Sequence, residues 1–493
     1  MIRNALINRK NWDDIAIVDS GKTATYGELA KKALSIQKML FKEDAQNIAV
    51  FLPDGADFIA AFFGVLMSNK AVFPLNSQLS KYELLPLIHK AGVHTIVTSQ
   101  ANRDLFENMA SEYGLNLDII YLEELNTENL ELDTVEGNDK GKPEQPMILL
   151  STSGTTGNAK IVQLSEINFE TSTFGYIGNM DYDKYRDMDI RYVIGTPFCS
   201  AYGLLVVAVC ILRSFPIVVV EGVFTLNSLY KAAQDYRATH YEGGVMTAVM
   251  MDQTSDREIV YDISSLKYLG LAGSKISSQI LARLLKSFPD IEFWTGYGMT
   301  EAAPLIAKPY KRMPANKLNS VGLAYGNEII MIEDKGEITD LPFQIGEIVV
   351  KGENVMIGYL DNEEETAKVI KNGFLYTGDI GYLDEEGYLY ICGRKKNVII
   401  VRGFNVYPEE VESCLMNSKL VKDCVVYGEV DDDGEEFVCA DVVLSGSEVS
   451  EADIRDFLST KLTNYKLPKK IYVREILQKT ATGKNKIGKG TDE

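Results

Sequence analysis

Residues 151–160 combine hydroxyl side chains, two glycines and a lysine directly after the apolar run at residues 147–150. Glycines allow the backbone to approach a polyphosphate, amides and hydroxyls donate hydrogen bonds to its oxygens, and a lysine adds positive charge. The spacing of a Walker A loop is absent, so this is not a P-loop of that type. The pattern therefore indicates a phosphate-binding loop, although taken alone it is also compatible with a polar turn.

Four later segments also carry groups suited to chemistry: residues 297–301, 376–379, 393–396 and 482–484. Three residues of the first two segments have an ordinary alternative when they are considered singly. Tyr297 is compatible with a core aromatic residue, Glu301 with a helix cap, and Asp379 with a turn residue. The order and spacing of all five segments are more informative than any one segment alone.

In this order and at these separations, the five segments resemble the adenylate-forming superfamily of acyl-CoA synthetases, stand-alone adenylation domains and luciferase-like enzymes. Residues 24–29 and 71–76 match the early segments of that family, so the resemblance covers nearly the whole chain. It implies that a carboxylate is joined to AMP with release of pyrophosphate and that the acyl group then passes to a thiol. Because the first step brings two anions together, it requires cations, Mg²⁺ and fixed donors around the α-phosphate.

The resemblance also implies a role for each matching residue. Tyr297 is expected to stack on the adenine, and Asp379 to accept both ribose hydroxyls. Thr300 is expected to bind phosphate and Glu301 to hold Mg²⁺. The implied nucleotide-binding residues are Thr152, Ser153, Gly154, Thr155, Thr156, Gly157, Lys160, Ala272, Gly273, Ser274, Tyr297, Gly298, Asp379 and Arg394.

The last segment matches the catalytic lysine of the family at Lys484, which is expected to bridge the carboxylate and the α-phosphate. Asn485 stands where the family usually has isoleucine, and this change leaves the charge intact. Residues 461–489 hold nine basic residues and one acid, Glu475, which suits a lid that faces phosphates. Lys396 matches the hinge about which the last hundred or so residues of family members rotate between the two half-reactions.

The candidate acyl pocket departs from the family pattern. Ser200 stands where acyl-CoA synthetases usually have a histidine, and no aspartate is present to pair an α-ammonium group, so α-amino acids are disfavoured. Glu242 is compatible with pairing a cationic substrate and with being a surface or hydrogen-bonded carboxylate. The glycines of this set are also compatible with turns. The expected pocket residues are Ser200, Tyr202, Tyr241, Gly243, Gly244, Gly270, Thr295, Gly296 and Ala302.

The expected activity is ATP- and Mg²⁺-dependent activation of an acyl or aryl carboxylic acid, followed by transfer to coenzyme A. The alternative acceptor is the phosphopantetheine arm of a separate carrier protein. A hypothesis of another class is a non-catalytic paralogue that binds nucleotide, and a luciferase-like oxygenase also stays open.

Composition supports this reading. The chain of 493 residues has 50 Lys+Arg and 70 Asp+Glu, a net charge of −20, which argues against a nucleic-acid groove. Six scattered cysteines and three histidines argue against a disulfide framework or a zinc site. The absence of a signal peptide and of a stretch long enough to span a bilayer predicts a cytoplasmic protein.

The elements that must position these groups fall into three regions. Strand–helix alternation over residues 48–121 and 147–307 predicts α/β architecture, with doubly wound sheets in a large N-terminal domain. Short runs at residues 328–332, 347–351 and 388–392 predict a small β-rich subdomain with antiparallel pairing. A small mobile α+β domain is expected at the C-terminus. The predicted boundaries are residues 1–393, a hinge at 394–396, and residues 397–493.

Overall fold

The computed structural model describes residues 2–8, 11–19, 21–41, 45–128, 130, 132, 144–152, 159–220, 222, 224–254, 259–273, 276–309, 313–325, 329–401, 404–431 and 435–478. Within them the strands are β1 (Ile15–Asp19), β2 (Lys22–Thr25), β3 (Asn47–Phe51), β4 (Ala71–Leu75), β5 (Thr95–Thr98), β6 (Asp118–Tyr121), β7 (Pro146–Thr152), β8 (Lys160–Ser165), β9 (Tyr192–Ile194), β10 (Ile217–Val219), β11 (His240–Gly244), β12 (Tyr268–Ala272), β13 (Glu292–Thr295), β14 (Tyr297–Gly298), β15 (Leu305–Lys308), β16 (Leu323–Ala324), β17 (Ile329–Asp334), β18 (Glu337–Thr339), β19 (Gly346–Lys351), β20 (Gly358–Tyr359), β21 (Ile370–Lys371), β22 (Phe374–Leu383), β23 (Leu389–Arg394), β24 (Ile399–Val401), β25 (Phe404–Val406), β26 (Val421–Val430), β27 (Glu436–Leu444) and β28 (Lys470–Val473).

The α-helices of the same residues lie mostly between strands. They are α1 (Tyr26–Leu40), α2 (Ala56–Met67), α3 (Lys81–Lys90), α4 (Arg103–Tyr113), α5 (Glu166–Asn179), α6 (Ala201–Arg213), α7 (Leu226–Tyr236), α8 (Val245–Gln253), α9 (Ser278–Ser287), α10 (Glu363–Val369), α11 (Pro408–Asn417) and α12 (Glu451–Ser459).

Two large sheets carry the predicted α/β architecture. The first has the strand order β20-β8-β7-β4-β3-β5-β6, and the second has the order β13-β12-β11-β9-β10-β1-β2. Both are parallel in the middle and end on antiparallel strands, β8 and β20 in the first sheet and β2 in the second. Helices α2 and α6 are buried almost all round, because they pack in the apolar core that the two sheets share.

The structure adds one pairing that the sequence analysis did not predict. Strand β1 runs parallel to β10, with Ile17 opposite Ile217, so the start of the chain completes the second sheet. The two strands lie about two hundred residues apart in the sequence, and a strand of this length shows only a short apolar pattern.

The predicted antiparallel subdomain is present, with the order β18-β17-β19-β22-β21 and with β23 paired to β22. The C-terminal region forms a sheet of β26, β27 and β28 with its own apolar core, against which α11 and α12 pack. The fold class is therefore the expected one. No helix among the described residues is long and apolar enough to cross a membrane.

The segment before α2 holds a carboxylate in an unfavourable environment. Asp54 Oδ1 accepts a hydrogen bond from the backbone N–H of Phe198 at 2.9 Å, but burial raises the pKa of Asp54 to about 6. Burial disfavours the charged form more than one hydrogen bond restores it. Ionised Asp54 is therefore a cost to the folded state.

We expect Asp54→Asn to stabilise the protein above the pKa of Asp54. The folded pKa exceeds the unfolded one, so the wild-type free energy of unfolding falls as pH rises from about 4 to above 6, on the order of 1–3 kcal/mol. The asparagine variant lacks this dependence. Urea denaturation of both proteins across this range should give a difference that is small at the acid end and largest above the pKa. A difference independent of pH would contradict the assignment.

Candidate active site

The antiparallel pair β7 and β8 presents the predicted phosphate-binding loop. Thr152 ends β7 and lies opposite Lys160, the first residue of β8, and the Thr152 hydroxyl donates to the Lys160 carbonyl at 3.4 Å. The loop residues Ser153, Gly154, Thr155, Thr156 and Gly157 lie outside the described residues. The two strands thus fix where this loop leaves and re-enters the sheet.

Lys160 and Glu301 are linked through Tyr359. Lys160 Nζ lies 2.6 Å from Glu365 Oε2 and 4.7 Å from the centre of the Tyr359 ring. The Tyr359 hydroxyl donates to Glu301 Oε1 at 2.8 Å, and burial together with the Glu301 charge raises the pKa of Tyr359. Tyr359 therefore stays a hydrogen-bond donor, and it orients the Glu301 carboxylate, which is 9% exposed.

A second cluster joins β14, β22 and β23. The Tyr297 hydroxyl donates to Asp379 Oδ2 at 2.7 Å, and Arg394 Nε lies 3.1 Å from Asp379 Oδ1. Asp379 and Arg394 are direct cross-strand partners, which explains their proximity. Burial, and then the Asp379 charge, holds the pKa of Tyr297 well above its usual range. The sequence prediction that these three residues belong to one site matches their contacts, while their roles stay predictions.

Glu347 connects this cluster to the predicted hinge. Its carboxylate accepts the Gly378 N–H at 3.0 Å and lies 2.6 Å from Lys395 Nζ. The hydrogen bond to Glu347 raises the pKa of Lys395. Lys396, the predicted hinge residue, follows in the short turn Lys395–Asn397. Glu347 thus connects the segment that follows β23 to β22, the strand that contains Asp379.

The carboxyl ends of β12 and β13 hold further predicted residues. Ala272 ends β12, and Gly273 follows with φ +91°, a conformation that favours glycine. Gly298 lies against the Pro304 carbonyl, where a side chain would collide. Ligands of parallel α/β sheets bind at this edge. Ser274 lies outside the described residues, and the remaining residues at this edge are Thr295, Gly296, Thr300 and the buried Ala302.

The predicted pocket residues differ in their surroundings. The Ser200 hydroxyl caps α6 by accepting the Gly203 N–H at 3.0 Å. Tyr241 packs in the core on the far side of the second sheet and bonds Thr247 at 2.7 Å. Gly243 accommodates the Tyr241 ring, and a side chain there would overlap its hydroxyl. Glycine is therefore required at position 243 by the packing of the Tyr241 ring.

Gly270 likewise accommodates a neighbour. It lies opposite Glu242 in the sheet, and the Glu242 carboxylate fills the space that a Gly270 side chain would need. The Glu242 carboxylate is buried and accepts hydrogen bonds from the hydroxyls of Tyr202 and Tyr176. The alternative that Gly243 and Gly270 form turns is wrong, because both lie inside strands. Glu242 is therefore a buried, hydrogen-bonded carboxylate and not a surface one, and its pairing with a cationic substrate stays a prediction.

Sequence reasoning missed several residues that contact these groups. Tyr359 and Tyr176 have no spacing signal, because each comes from an element far along the chain from its partner. Glu365 belongs to three successive glutamates that begin α10, a pattern typical of any helix N-terminus. Lys484, the predicted catalytic lysine, lies outside the described residues.

Comparisons with known proteins agree with this architecture. Residues 4–360 match the family model described as AMP-binding enzyme, and residues 410–484 match the one described as AMP-binding enzyme C-terminal domain. The chain is 31% identical to a 2-succinylbenzoate–CoA ligase of Bacillus cereus (strain AH820), covering 96% of this chain and 94% of the relative. It is 29% identical to a long-chain-fatty-acid–CoA ligase of Bacillus subtilis (strain 168), covering 96% and 90%. The structure of o-succinylbenzoate coenzyme A synthetase (MenE) from Bacillus subtilis with ATP and magnesium ion has a TM-score of 0.81 at 26% identity, covering 96% of this chain and 95% of that chain.

Proposed function

The chain belongs to the AMP-binding enzyme family, and from this premise we propose that it is an acid–thiol ligase that activates a carboxylic acid with ATP and transfers the acyl group to coenzyme A. The observation that carries the proposal is the contact of Tyr297, Asp379 and Arg394, which come from three strands. A carboxylate held by a tyrosine and an arginine presents fixed acceptors for the two ribose hydroxyls. The same three residues were predicted from the sequence.

The donor set fits the proposed metal. Glu301 accepts the Tyr359 hydroxyl through Oε1, so its carboxylate has further lone pairs, and oxygen is the ligand atom that Mg²⁺ prefers. When bound, Mg²⁺ would neutralise phosphate charge and orient the leaving pyrophosphate. Lys160 would place a second cation beside the loop, and its ion pair with Glu365 holds the ammonium in position at the start of β8.

In the proposed reaction an oxygen of the acid's carboxylate attacks the α-phosphorus of ATP, and the bond to pyrophosphate breaks. Thr300 and Lys484 would bind the phosphate oxygens and the attacking carboxylate, where negative charge is closest. The thiol of coenzyme A would then attack the acyl carbon and release AMP. Binding both reactants in one site supplies much of the rate, because their orientation is fixed before reaction.

We assign residues 394–396 to a hinge, with residues 1–393 as the nucleotide and acid-binding part and residues 397–493 as the lid. The contact between Lys395 and Glu347 supports this, because the ion pair fixes the start of the hinge on the N-terminal part. Relatives named as aliphatic and aryl acid ligases both match the chain, so the family alone leaves the acid open.

The test is release of pyrophosphate from ATP–Mg²⁺ with fatty, aryl, dicarboxylic and amino acids, each with and without coenzyme A. Turnover that coenzyme A accelerates is the expected result and identifies the acid class. The opposite result is pyrophosphate release that depends on hydroxylamine as a trap and does not change when coenzyme A is added. It would indicate that the acyl acceptor is a carrier protein and not coenzyme A. No release with any acid, alongside measurable ATP binding, would favour a non-catalytic nucleotide-binding protein.

A further inference from the structure

One face of the second sheet is lined by small residues at the carboxyl ends of its strands. Gly244 ends β11, Gly270 lies in β12, and Gly296 follows β13 directly. A side chain built at Gly244 meets no atom within 4 Å, and one at Gly296 makes only ordinary contact, its nearest neighbour 3.4 Å away. Because ligands of such sheets bind at this edge, the open space beside Gly244 suits an acyl group.

Glu242 lies at the inner end of this space. Successive residues of a strand point to opposite faces, so Glu242 shares the face of Gly244 and lies one pleat deeper. The gap at Gly270 receives its carboxylate. On the same face Trp294 lies level with Glu242 and Gly270 in the strand register, and Tyr268 lies one pleat deeper. The Tyr268 and Trp294 rings are 5.6 Å apart in the main core. Along β11, the first polar side chain inward from Gly244 on this face is therefore the Glu242 carboxylate.

The hydrogen bonds of Glu242 leave it able to accept more. The hydroxyl of Tyr176 donates to one carboxylate oxygen and the hydroxyl of Tyr202 to the other. An ionised carboxylate has about four lone-pair positions, so about two stay available. Burial and the Glu242 charge raise the pKa of both tyrosines, so each stays a donor. The carboxylate itself lies against Gly270, one of these small residues.

The nearest buried cation does not pair directly with Glu242. Lys308 Nζ donates to Met180 Sδ at 3.3 Å and lies 3.5 Å from the centre of the Tyr176 ring. Within the described residues, no lysine or arginine forms an ion pair with the Glu242 carboxylate. Burial also lowers the pKa of Lys308 to about 7, against the opposing attraction of Glu242. The negative charge at the end of the pocket is therefore only partly balanced.

We propose that Glu242 determines substrate specificity, and that the acid activated here carries an ammonium or another hydrogen-bond-donating nitrogen at the end remote from its reacting carboxylate. This inference rests on the proposed function. A substrate with an apolar tail would leave the Glu242 carboxylate without a partner on the ligand. A substrate with a second carboxylate at its remote end would be repelled by the negative charge of Glu242. A terminal ammonium would complete its hydrogen bonds. The nitrogen must be remote because Glu242 lies deep in the strand face, so the proposal agrees with the expectation that α-amino acids are disfavoured.

The experiment compares acids that differ only at the remote end, using ATP–pyrophosphate exchange by the full chain. One homologous series contains ω-aminohexanoate, heptanoate and heptanedioate, and an aryl series contains para-(aminomethyl)benzoate, para-ethylbenzoate and para-(carboxymethyl)benzoate. We expect kcat/KM for the amine-terminated acid of at least one series to exceed that of its methyl-terminated partner by at least about 10-fold. In Glu242→Gln the same ratio should fall to within about 3-fold of unity, because the charge is removed at nearly constant shape.

Asp441→Asn is the matched control, because Asp441 is also a buried carboxylate that accepts a tyrosine hydroxyl, from Tyr427 at 3.1 Å, but it lies in the C-terminal sheet. It should leave the substrate ratio unchanged. A lower melting temperature of Glu242→Gln with an unchanged ratio would overturn the proposal and make Glu242 purely structural. Turnover of other acids with no preference for an amine end would overturn it while the proposed function stands. No exchange with any acid would overturn the proposed function itself.

Discussion

Replacing Lys484 by alanine should lower the rate of acyl-adenylate formation by roughly 10²–10³-fold, because the variant loses the cation that the proposed mechanism puts between the two reacting anions. Transfer of the acyl group from pre-formed acyl-AMP to coenzyme A should change little, since that step has no developing charge between a carboxylate and the α-phosphate. Pyrophosphate release measures the first step, and thioester formation from synthetic acyl-AMP measures the second. The split between the two rates is the diagnostic result.

Lys486→Ala is the matched control, because it removes a lysine two positions away in the same basic segment. It should retain most of the adenylation rate, since general attraction of phosphates by this segment depends on many charges. Equal losses in the two variants would show that the segment acts through its net charge alone. Persistence of adenylation in Lys484→Ala would remove that lysine from the proposed mechanism.

Glu301→Gln should raise the Mg²⁺ concentration needed for half-maximal rate by at least about 10-fold and lower the saturated rate by roughly 10²-fold. The change keeps the shape of the side chain and an acceptor for the Tyr359 hydroxyl, but it removes the negative charge that would hold the metal. Tyr359→Phe should have a smaller effect in the same direction, because it frees the Glu301 carboxylate to rotate. Magnesium titrations of pyrophosphate release measure both effects.

Glu353→Gln provides the control for this pair, since Glu353 also accepts one hydroxyl, from Thr171 at 3.1 Å, but it is exposed. Its magnesium dependence should equal that of the wild type. If Glu301→Gln lost activity with an unchanged magnesium dependence and a lower melting temperature, Glu301 would have a structural role through Tyr359. Glu301→Gln and Glu353→Gln each remove one carboxylate charge, so an effect on the magnesium dependence that only Glu301→Gln shows must come from the position of Glu301.

Local patterns in the sequence predicted many elements closely. The alternation predicted over residues 48–121 is present, and within it helix α3 begins with a capping box formed by Ser80 and Glu83. The short run predicted at residues 347–351 is likewise present as β19, which spans Gly346–Lys351. Such elements are predictable because their patterns are local in the sequence.

Local sequence patterns do not predict the pairing of strand β1. Its partner β10 is about two hundred residues away, and Ile17 has no local feature that names Ile217 as its neighbour. The same limit applied to Gly243 and Gly270, whose apparent turn character is in fact room for the side chains of Tyr241 and Glu242. The reason for a glycine is therefore clear only when the neighbouring group that fills the space beside it is known.

The sequence by itself determined the family and the fold class and predicted the types of group that meet at the nucleotide, because these depend on residue types in a fixed order along the chain. The tertiary structure alone decided that Glu242 from β11, Tyr176 from α5, Tyr202 from α6 and Lys308 from β15 form one buried polar cluster. Their contacts depend on how two helices pack on one face of a sheet, and no spacing in the sequence encodes that packing. The specificity of the enzyme is expected to lie in this cluster, since our proposal puts the Glu242 carboxylate at the inner end of the acyl space.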